Sequence, residues 1–511
     1  MHLLHHLLRP LSGDAGRPAV VDGARTLTHA ALRAWSIACA ERLRRAGLER
    51  GDRVAILLPK SLEECAAIFG ASLADGVFVP INPVLRPAQV RHVLADCGAR
   101  ILLTDRALHD ALGDALSGLD ALDTVLLTED WVPGTGACAP LDRPGREVAI
   151  GEDLAAILYT SGSTGSPKGV MLSHRNLLAG TRIVASYLDL SRDDRILSLL
   201  PFSFDYGLNQ LLTAVAVRAS VILAGFRLGN DIVEALRTHR ITGLAGVPTI
   251  WTILARAAPK LATTPLPDLR YVTNSGGALP TETVERLRRR LPDTRIFLMY
   301  GLTEAFRSTF LPPEEIDRLP NSIGRAIPEC EVFAVTPEGR RTRPGEPGIL
   351  VHRGPTVSLG YWNRPEETAQ VLRPNPIRSG AEGGEIVCYS GDLVVEDAEG
   401  YFHFVGRADA MIKSAGYRIS PSEVEEVLMA AATLRQCAVI GLPDAVLGQR
   451  LHAVAVPGPD PVDVEGVLRN AALRLAPYMA PRSLELVADL PLTPNGKVDY
   501  KRLVQDRCAD A

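Results

Sequence analysis

Residues 155–170 read Ala-Ala-Ile-Leu-Tyr-Thr-Ser-Gly-Ser-Thr-Gly-Ser-Pro-Lys-Gly-Val, an apolar run that opens into hydroxyls, glycines and a single lysine. Gly162 and Gly165 let the backbone approach a polyphosphate closely, and successive N–H groups form a nest for anions. The hydroxyls of Thr160, Ser161, Ser163 and Thr164 add short charge-assisted bonds, and Lys168 supplies a point charge. This chemistry is that of a triphosphate-binding loop. It is not a Walker A loop, which needs Gly before the lysine and Ser or Thr after it, whereas Lys168 stands between Pro167 and Gly169. A P-loop kinase or ATPase is therefore disfavoured, and the preceding apolar strand argues against a plain flexible linker. Other chemistries find little support. The eleven histidines form no H-E-x-x-H or other metal spacing. Ser275 lies in Asn-Ser-Gly-Gly rather than in a nucleophile elbow. Arg286, Arg288, Arg289 and Arg290 follow Glu282 and Glu285 at helical spacing and read as a solvated helix face.

Further along stand Tyr300-Gly301-Leu302-Thr303-Glu304, Ser390-Gly391-Asp392, Gly406-Arg407-Ala408-Asp409, Ile412-Lys413-Ser414-Ala415-Gly416-Tyr417-Arg418-Ile419 and Pro494-Asn495-Gly496-Lys497-Val498-Asp499. Together with the loop at 160–168, these motifs resemble the adenylate-forming superfamily of acyl-CoA synthetases, stand-alone amino-acid adenylating enzymes and firefly luciferase. The resemblance covers essentially the whole chain. It implies that a carboxylate attacks the α-phosphate of ATP to give an acyl-adenylate and pyrophosphate, after which a thiol displaces AMP to give a thioester. By the same resemblance, residues 160–168 hold the β- and γ-phosphates, and Tyr300, next to Gly301, stacks on adenine. Thr303 and Glu304 hold Mg²⁺, which offsets charge on the α-phosphate. Asp392 takes the ribose hydroxyls, and Arg407 donates to the same sugar. Lys497, in a Pro-Asn-Gly turn, bridges the substrate carboxylate to the α-phosphate while the C-terminal domain is closed. A hinge at Asp409 exchanges that face for one carrying Lys413, Gly416 and Arg418, which opens a tunnel for a phosphopantetheine arm. A glycine at 416 suits a thread-like arm passing close to backbone.

The acid pocket of this family corresponds here to Leu200-Pro201-Phe202-Ser203-Phe204-Asp205-Tyr206-Gly207-Leu208, with a floor drawn from 247–251 and 274–278. Val247 and the Gly276-Gly277-Ala278 run belong to that floor, where the glycines leave room for substrate and adenine. Fatty and aryl acyl-CoA synthetases typically carry a histidine and then an apolar residue where this chain has Phe204 and Asp205. In amino-acid adenylating enzymes the acid pairs with the substrate α-ammonium, and a carboxylate among Phe202, Phe204 and Tyr206 does need a cation. Two alternatives stay open: Asp205 caps a helix starting near Gly207, or it pairs with a protein donor. Leu302 pulls the other way, because many amino-acid adenylating domains have Pro there. The favoured expectation is an amino acid loaded on a separate carrier protein, and the alternative is an organic acid joined to CoA. A non-catalytic scaffold would have no need of Lys168, Glu304, Asp392 and Lys497 together.

The elements that must position these residues are legible as a rhythm. Strand runs at 18–21, 54–58, 77–81 and 101–104 alternate with helical periods at 32–46, 62–73 and 87–95, and the pattern resumes from 196 to 299. Strand, helix, strand in that order argues parallel α/β layers. From 324 the texture turns to short strands among Pro and Gly, and a compact α+β tail follows Arg407. The expected fold is a large N-terminal body of two α/β layers plus a β-rich subdomain (1–407), with a small mobile C-terminal domain (408–511). The chain has 511 residues, 55 Lys plus Arg against 59 Asp plus Glu, and a net charge of −4, which suggests neither a nucleic-acid footprint nor an acidic tail. Eight scattered cysteines without a C-x-x-C pair fit free thiols, and no apolar stretch approaches the ~18 residues of a membrane span. The expectation is a soluble cytoplasmic enzyme.

Overall fold

The computed structural model describes residues 2–9, 13–130, 149–160, 167–277, 279–378, 384–407, 411–430, 433–491 and 498–508, without the side chains of Arg407 and Ser422. Its body is built on two sheets. The smaller has six strands, with Arg53–Leu57 flanked by Val77–Ile81 and Ala99–Thr104 in parallel. Its last two strands, Leu154–Thr160 and Lys168–Ser173, run antiparallel. The larger has fourteen strands and two textures. Arg195–Ser198, Gly243–Gly246, Tyr271–Asn274 and Arg295–Tyr300 are parallel, and from Thr309–Leu311 onward the sheet continues antiparallel. The expected β-rich subdomain is hydrogen-bonded onto the α/β layer as a continuation of its sheet.

Local signals set the helices. Ser61 accepts from the Glu64 amide at the start of Leu62–Leu73, and Ser173 with Asn176 forms a reciprocal cap on His174–Tyr187. Leu62–Leu73 is buried almost all round because it lies between the sheets, where one core joins Ile56, Phe78 and Leu158 of the smaller sheet to Val20, Ile196 and Val221 of the larger. Two N-terminal histidines join this packing: His6 is buried and His5 meets the Ser72 hydroxyl. The seven described cysteines are free. Among the described residues no helix is long and apolar enough to cross a membrane.

A third, five-stranded sheet belongs to the small C-terminal domain, with Leu434–Asp444 and Gly448–Pro457 as its long hairpin and Pro421–Met429 packed on it. It meets the body at definite points. Arg86 donates to the carbonyls of Ala472 at 3.0 Å and Leu475 at 3.3 Å, and the Gln89 amide reaches Glu423 at 3.5 Å.

Candidate functional site

The polyphosphate-type loop spans the two antiparallel strands of the smaller sheet. Thr160 pairs with Lys168 across that ladder, so the lysine begins a strand rather than a helix, which is the structural reason it differs from a P-loop. Ser161, Gly162, Ser163, Thr164 and Gly165 lie outside the described residues, as do Ala278, Asp409 and Lys497. Lys168 itself is buried, 7% exposed, with its ammonium 3.8 Å from Glu367 and 5.5 Å over the Tyr361 ring. Burial holds its pKa below the ordinary lysine value, with Glu367 opposing.

Tyr361 is a residue the sequence reading missed. Its hydroxyl donates to Glu304 Oε1 at 2.7 Å, and burial raises its pKa. The segment is pinned from outside. Trp362 donates its backbone amide to Gly169 at 2.8 Å and its indole to the Asp96 carbonyl at 3.1 Å, while Arg364 and Tyr159 both bond the Asp96 carboxylate at 2.6 Å. The only cue in the sequence is an aromatic pair, Tyr361-Trp362, after Gly360.

Glu304 joins three parts of the chain. It follows the strand Arg295–Tyr300, Tyr361 holds one oxygen, and the other is 3.8 Å from the Arg418 guanidinium of the C-terminal domain. That second oxygen is buried with no hydrogen-bond partner among the described residues, the state of an anionic oxygen suited to a cation. Thr303, beside it, is also buried. Among the described residues no three His, Cys, Asp or Glu side chains cluster as a metal cage, so a cation here would draw most of its ligands from phosphate and water.

Tyr300 ends the same strand and donates its hydroxyl to Asp392, while its ring stacks on buried His352 with centroids 6.1 Å apart. Burial lowers the His352 pKa to about 4, which leaves a neutral ring. Asp392 faces Arg407 across the antiparallel ladder, so backbone register puts both expected sugar-binding residues at one level.

The C-terminal hairpin Ile412–Ser414 and Tyr417–Ile419 turns its tip toward this cleft. Gly416 has φ +85°, and a Cβ there would lie 2.7 Å from Val247. Gly276, at φ +83°, would place a Cβ 3.3 Å from the Gly416 carbonyl and 3.7 Å from Phe204. Phe204, Val247, Gly276 and Gly416 therefore converge, and the Gly277 carbonyl beside them in sequence accepts from Asn274 at 3.0 Å. Lys413 does not join this group: its ammonium sits 4.9 Å over Phe404 and its amide bonds Gln449 at 2.8 Å.

Of the two protein-side alternatives for Asp205, the structure has the pairing with a protein donor and not the helix cap. The helix runs Asp205–Val217 with Phe204 at the cap position and no side-chain cap bond, so Asp205 is not a cap. It is 4% exposed and lies 3.5 Å from the guanidinium of Arg307, itself 3% exposed. Burial pushes its carboxyl up from the ordinary range, and Arg307 opposes that shift. Arg307 also lies 4.7 Å over the Tyr206 ring, whose hydroxyl bonds Thr273. The sequence carried a signal for Arg307, a lone cation in Ala305-Phe306-Arg307-Ser308 three residues after Glu304.

Residues 9–362 match the family described as AMP-binding enzyme, and residues 423–497 match the AMP-binding enzyme C-terminal domain. A feruloyl-CoA synthase of Amycolatopsis sp is 34% identical over 488 residues, 94% of each chain. An L-proline–[L-prolyl-carrier protein] ligase of Streptomyces coelicolor is 33% identical, over 96% of this chain and 94% of its own. The amide bond synthetase McbA of Marinactinospora thermotolerans superposes with a TM-score of 0.87 at 26% identity, covering 98% of this chain and 99% of its own. Matches that run the length of the chain, over a cleft where a buried lysine, a cation-seeking carboxylate and a tyrosine–aspartate pair meet, show that this protein belongs to the adenylate-forming AMP-binding enzymes and is an AMP-forming acid–thiol ligase.

Proposed function

We propose that this chain activates a carboxylic acid with ATP and passes the acyl group to the thiol of a phosphopantetheine arm. The observation that carries the reading is the convergence of Lys168, Tyr361, Glu304 and Arg418, from four separate stretches of chain, beside the Tyr300–Asp392 pair. In the first step a carboxylate oxygen attacks the α-phosphorus and the bond to the bridging oxygen breaks, so pyrophosphate leaves. Lys168 and the loop from Thr160 receive charge on the leaving group. Lys497 is the proposed bridge between carboxylate and α-phosphate. Tyr300, Asp392 and Arg407 hold the nucleoside. Thr303 and Glu304 would hold Mg²⁺, which when bound supplies positive charge against the phosphates. In the second step the thiol sulfur attacks the acyl carbon and AMP departs. The pose described here turns Gly416 and Arg418 toward the cleft, and we take it as the thioester-forming arrangement, reached by rotation near Asp409.

The Asp205–Arg307 pair already balances the charge in the pocket, which supports an organic acid with CoA as acceptor. An amino acid on a separate carrier protein is the second reading, favoured by the buried carboxylate and by the relative that acts on L-proline. Acid-dependent ATP–pyrophosphate exchange, with mass measurement of CoA and holo-carrier products, tests both. Glu304→Gln should lower exchange by about 10²-fold or more. Exchange at the wild-type rate in that variant, or with no acid added, would overturn the assignment.

A further inference from the structure

Glu367 stands in the first turn of the helix Pro365–Val371, where an acid ordinarily complements the helix dipole. Glu366 beside it is placed for that purpose too, but the Glu367 carboxylate reaches across to the smaller sheet. It lies 3.8 Å from the Lys168 ammonium and 3.9 Å from Arg364 Nε. The Lys168 side chain is 8% exposed and that of Glu367 26%, so an inner cation meets an anion that has one side open to water. A separation of 3.8 Å exceeds hydrogen-bond length, and the three N–H donors of the ammonium are therefore not committed to this carboxylate.

The backbone around both residues is held without Glu367. Lys168 pairs with Thr160 across the ladder, His92 of the helix Pro87–Cys97 bonds the Pro167 carbonyl at 3.1 Å, and the Trp362 amide donates to the Gly169 carbonyl. On the other side Asp96 holds Arg364 at 2.6 Å, and the Thr368 hydroxyl donates to the Arg364 carbonyl at 2.7 Å. A substitution at Glu367 therefore changes the charge beside the ammonium and leaves the strand and the helix in place.

Charge decides what such a pair does. Burial disfavours the charged form of Lys168, and Glu367 opposes that effect, so the carboxylate keeps the ammonium charged before phosphate arrives. A polyphosphate then brings further anions to the same cation. Phosphate oxygens and the carboxylate repel, and the carboxylate either withdraws toward water or stays at a cost; both weaken the hold on phosphate. ATP and pyrophosphate share this contact, so one factor weakens both, a change in uniform binding that leaves the bond-breaking step untouched. Resting on the acid-activating reading above, we propose that Glu367 is a positioning residue acting through Lys168: it holds the ammonium ready, competes with phosphate for it, and so loosens ATP and speeds the departure of pyrophosphate.

The test is calorimetric titration of the full chain with MgATP and with magnesium pyrophosphate, which needs no acid substrate. Glu367→Gln should lower Kd for both ligands by about 3- to 10-fold, somewhat more than a fully exposed charge pair would give because Lys168 is buried. KM for ATP and the inhibition constant of pyrophosphate should fall with them, while acyl-adenylate formation at saturating ATP keeps its rate. Glu367→Asp, which keeps the charge at the helix start but draws it back from the ammonium, should move both Kd values the same way by less. In a Lys168→Ala background, Glu367→Gln should change either Kd by less than about twofold. A rise in Kd would make Glu367 a plain support for Lys168 and overturn the inference. An unchanged Kd, or an equal fall in the Lys168→Ala background, would overturn it as well. A wild-type chain that binds neither ligand refutes the acid-activating reading itself, and the inference with it.

Discussion

Gly416→Ala separates the two half-reactions. A methyl group at 416 would lie 2.7 Å from both Cβ and Cγ1 of Val247, closer than side-chain carbons approach, and the backbone there has φ +85°. The left-handed conformation costs a non-glycine residue about 1–2 kcal/mol. That cost belongs to the hairpin of residues 412–419, so under the proposed rotation it is common to both poses and cancels between them. The contact with Val247 exists only where the hairpin tip faces the body. Forced overpacking of this kind costs about 1–3 kcal/mol, or about 5- to 150-fold in the population of the pose at 1.36 kcal/mol per tenfold. Single-turnover transfer from preformed acyl-adenylate to CoA should slow by that factor, while ATP–pyrophosphate exchange, assigned above to the other proposed pose, should hold its rate or rise. Val247→Gly, which removes the atoms the methyl meets, should return most of the lost transfer rate. Equal slowing of both half-reactions, or transfer at the wild-type rate, would refute the assignment of this pose to thioester formation.

Three further outcomes follow from named contacts. Lys168→Ala removes a buried ammonium proposed to bond phosphate, a charged interaction of about 1.5–3 kcal/mol, so KM for ATP in the exchange assay should rise about 10- to 150-fold. Tyr300→Phe deletes a buried hydrogen bond to the Asp392 carboxylate and should lower the free energy of unfolding in denaturant by about 1.5–3 kcal/mol, with a rise in KM for ATP. Burial holds the Glu423 carboxyl up at about 7, with Gln89 of the body opposing. Its folded value lies above its unfolded one, so the stability it confers is full below about 4.5 and is lost as pH rises to about 7, with a slope of up to about 1.4 kcal/mol per pH unit. Glu423→Gln should remove that slope, and denaturant unfolding of wild type and variant across this window should diverge; parallel curves would count against the burial of this carboxyl.

What the sequence made legible was whatever depends on neighbours along the chain. Residues 62–73 and 77–81 form the elements that their periodicity predicts, with boundaries unchanged. Ser61 and a run of apolar residues suffice for such a helix, whatever lies across from it. The strand Lys168–Ser173 was harder to read, since a glycine-rich loop precedes a helix as readily as a strand, and only its pairing with Leu154–Thr160 distinguishes the two. In the site, Tyr300, Glu304 and Asp392 stand out because each motif carries its chemistry within five residues. Tyr361 does not, because its role comes from Glu304, and Glu304 is brought to it by the fold.

Asp205 shows the limit most clearly. Read alone among three aromatic residues, it is an anion that needs a cation, and the sequence leaves open whether substrate, backbone or protein supplies one. The answer depends on which side chain follows the strand Arg295–Tyr300 at the point where the chain turns through a left-handed residue, three positions past Glu304. Had that residue been apolar, the same Asp205 would face an unbalanced pocket and an α-ammonium would complete it. With Arg307 there, the balance is reached before any substrate arrives, and what stays unsatisfied is hydrogen bonding rather than charge. The charge at this point of the fold is therefore set by a pair of residues from different elements, and neither member determines it alone.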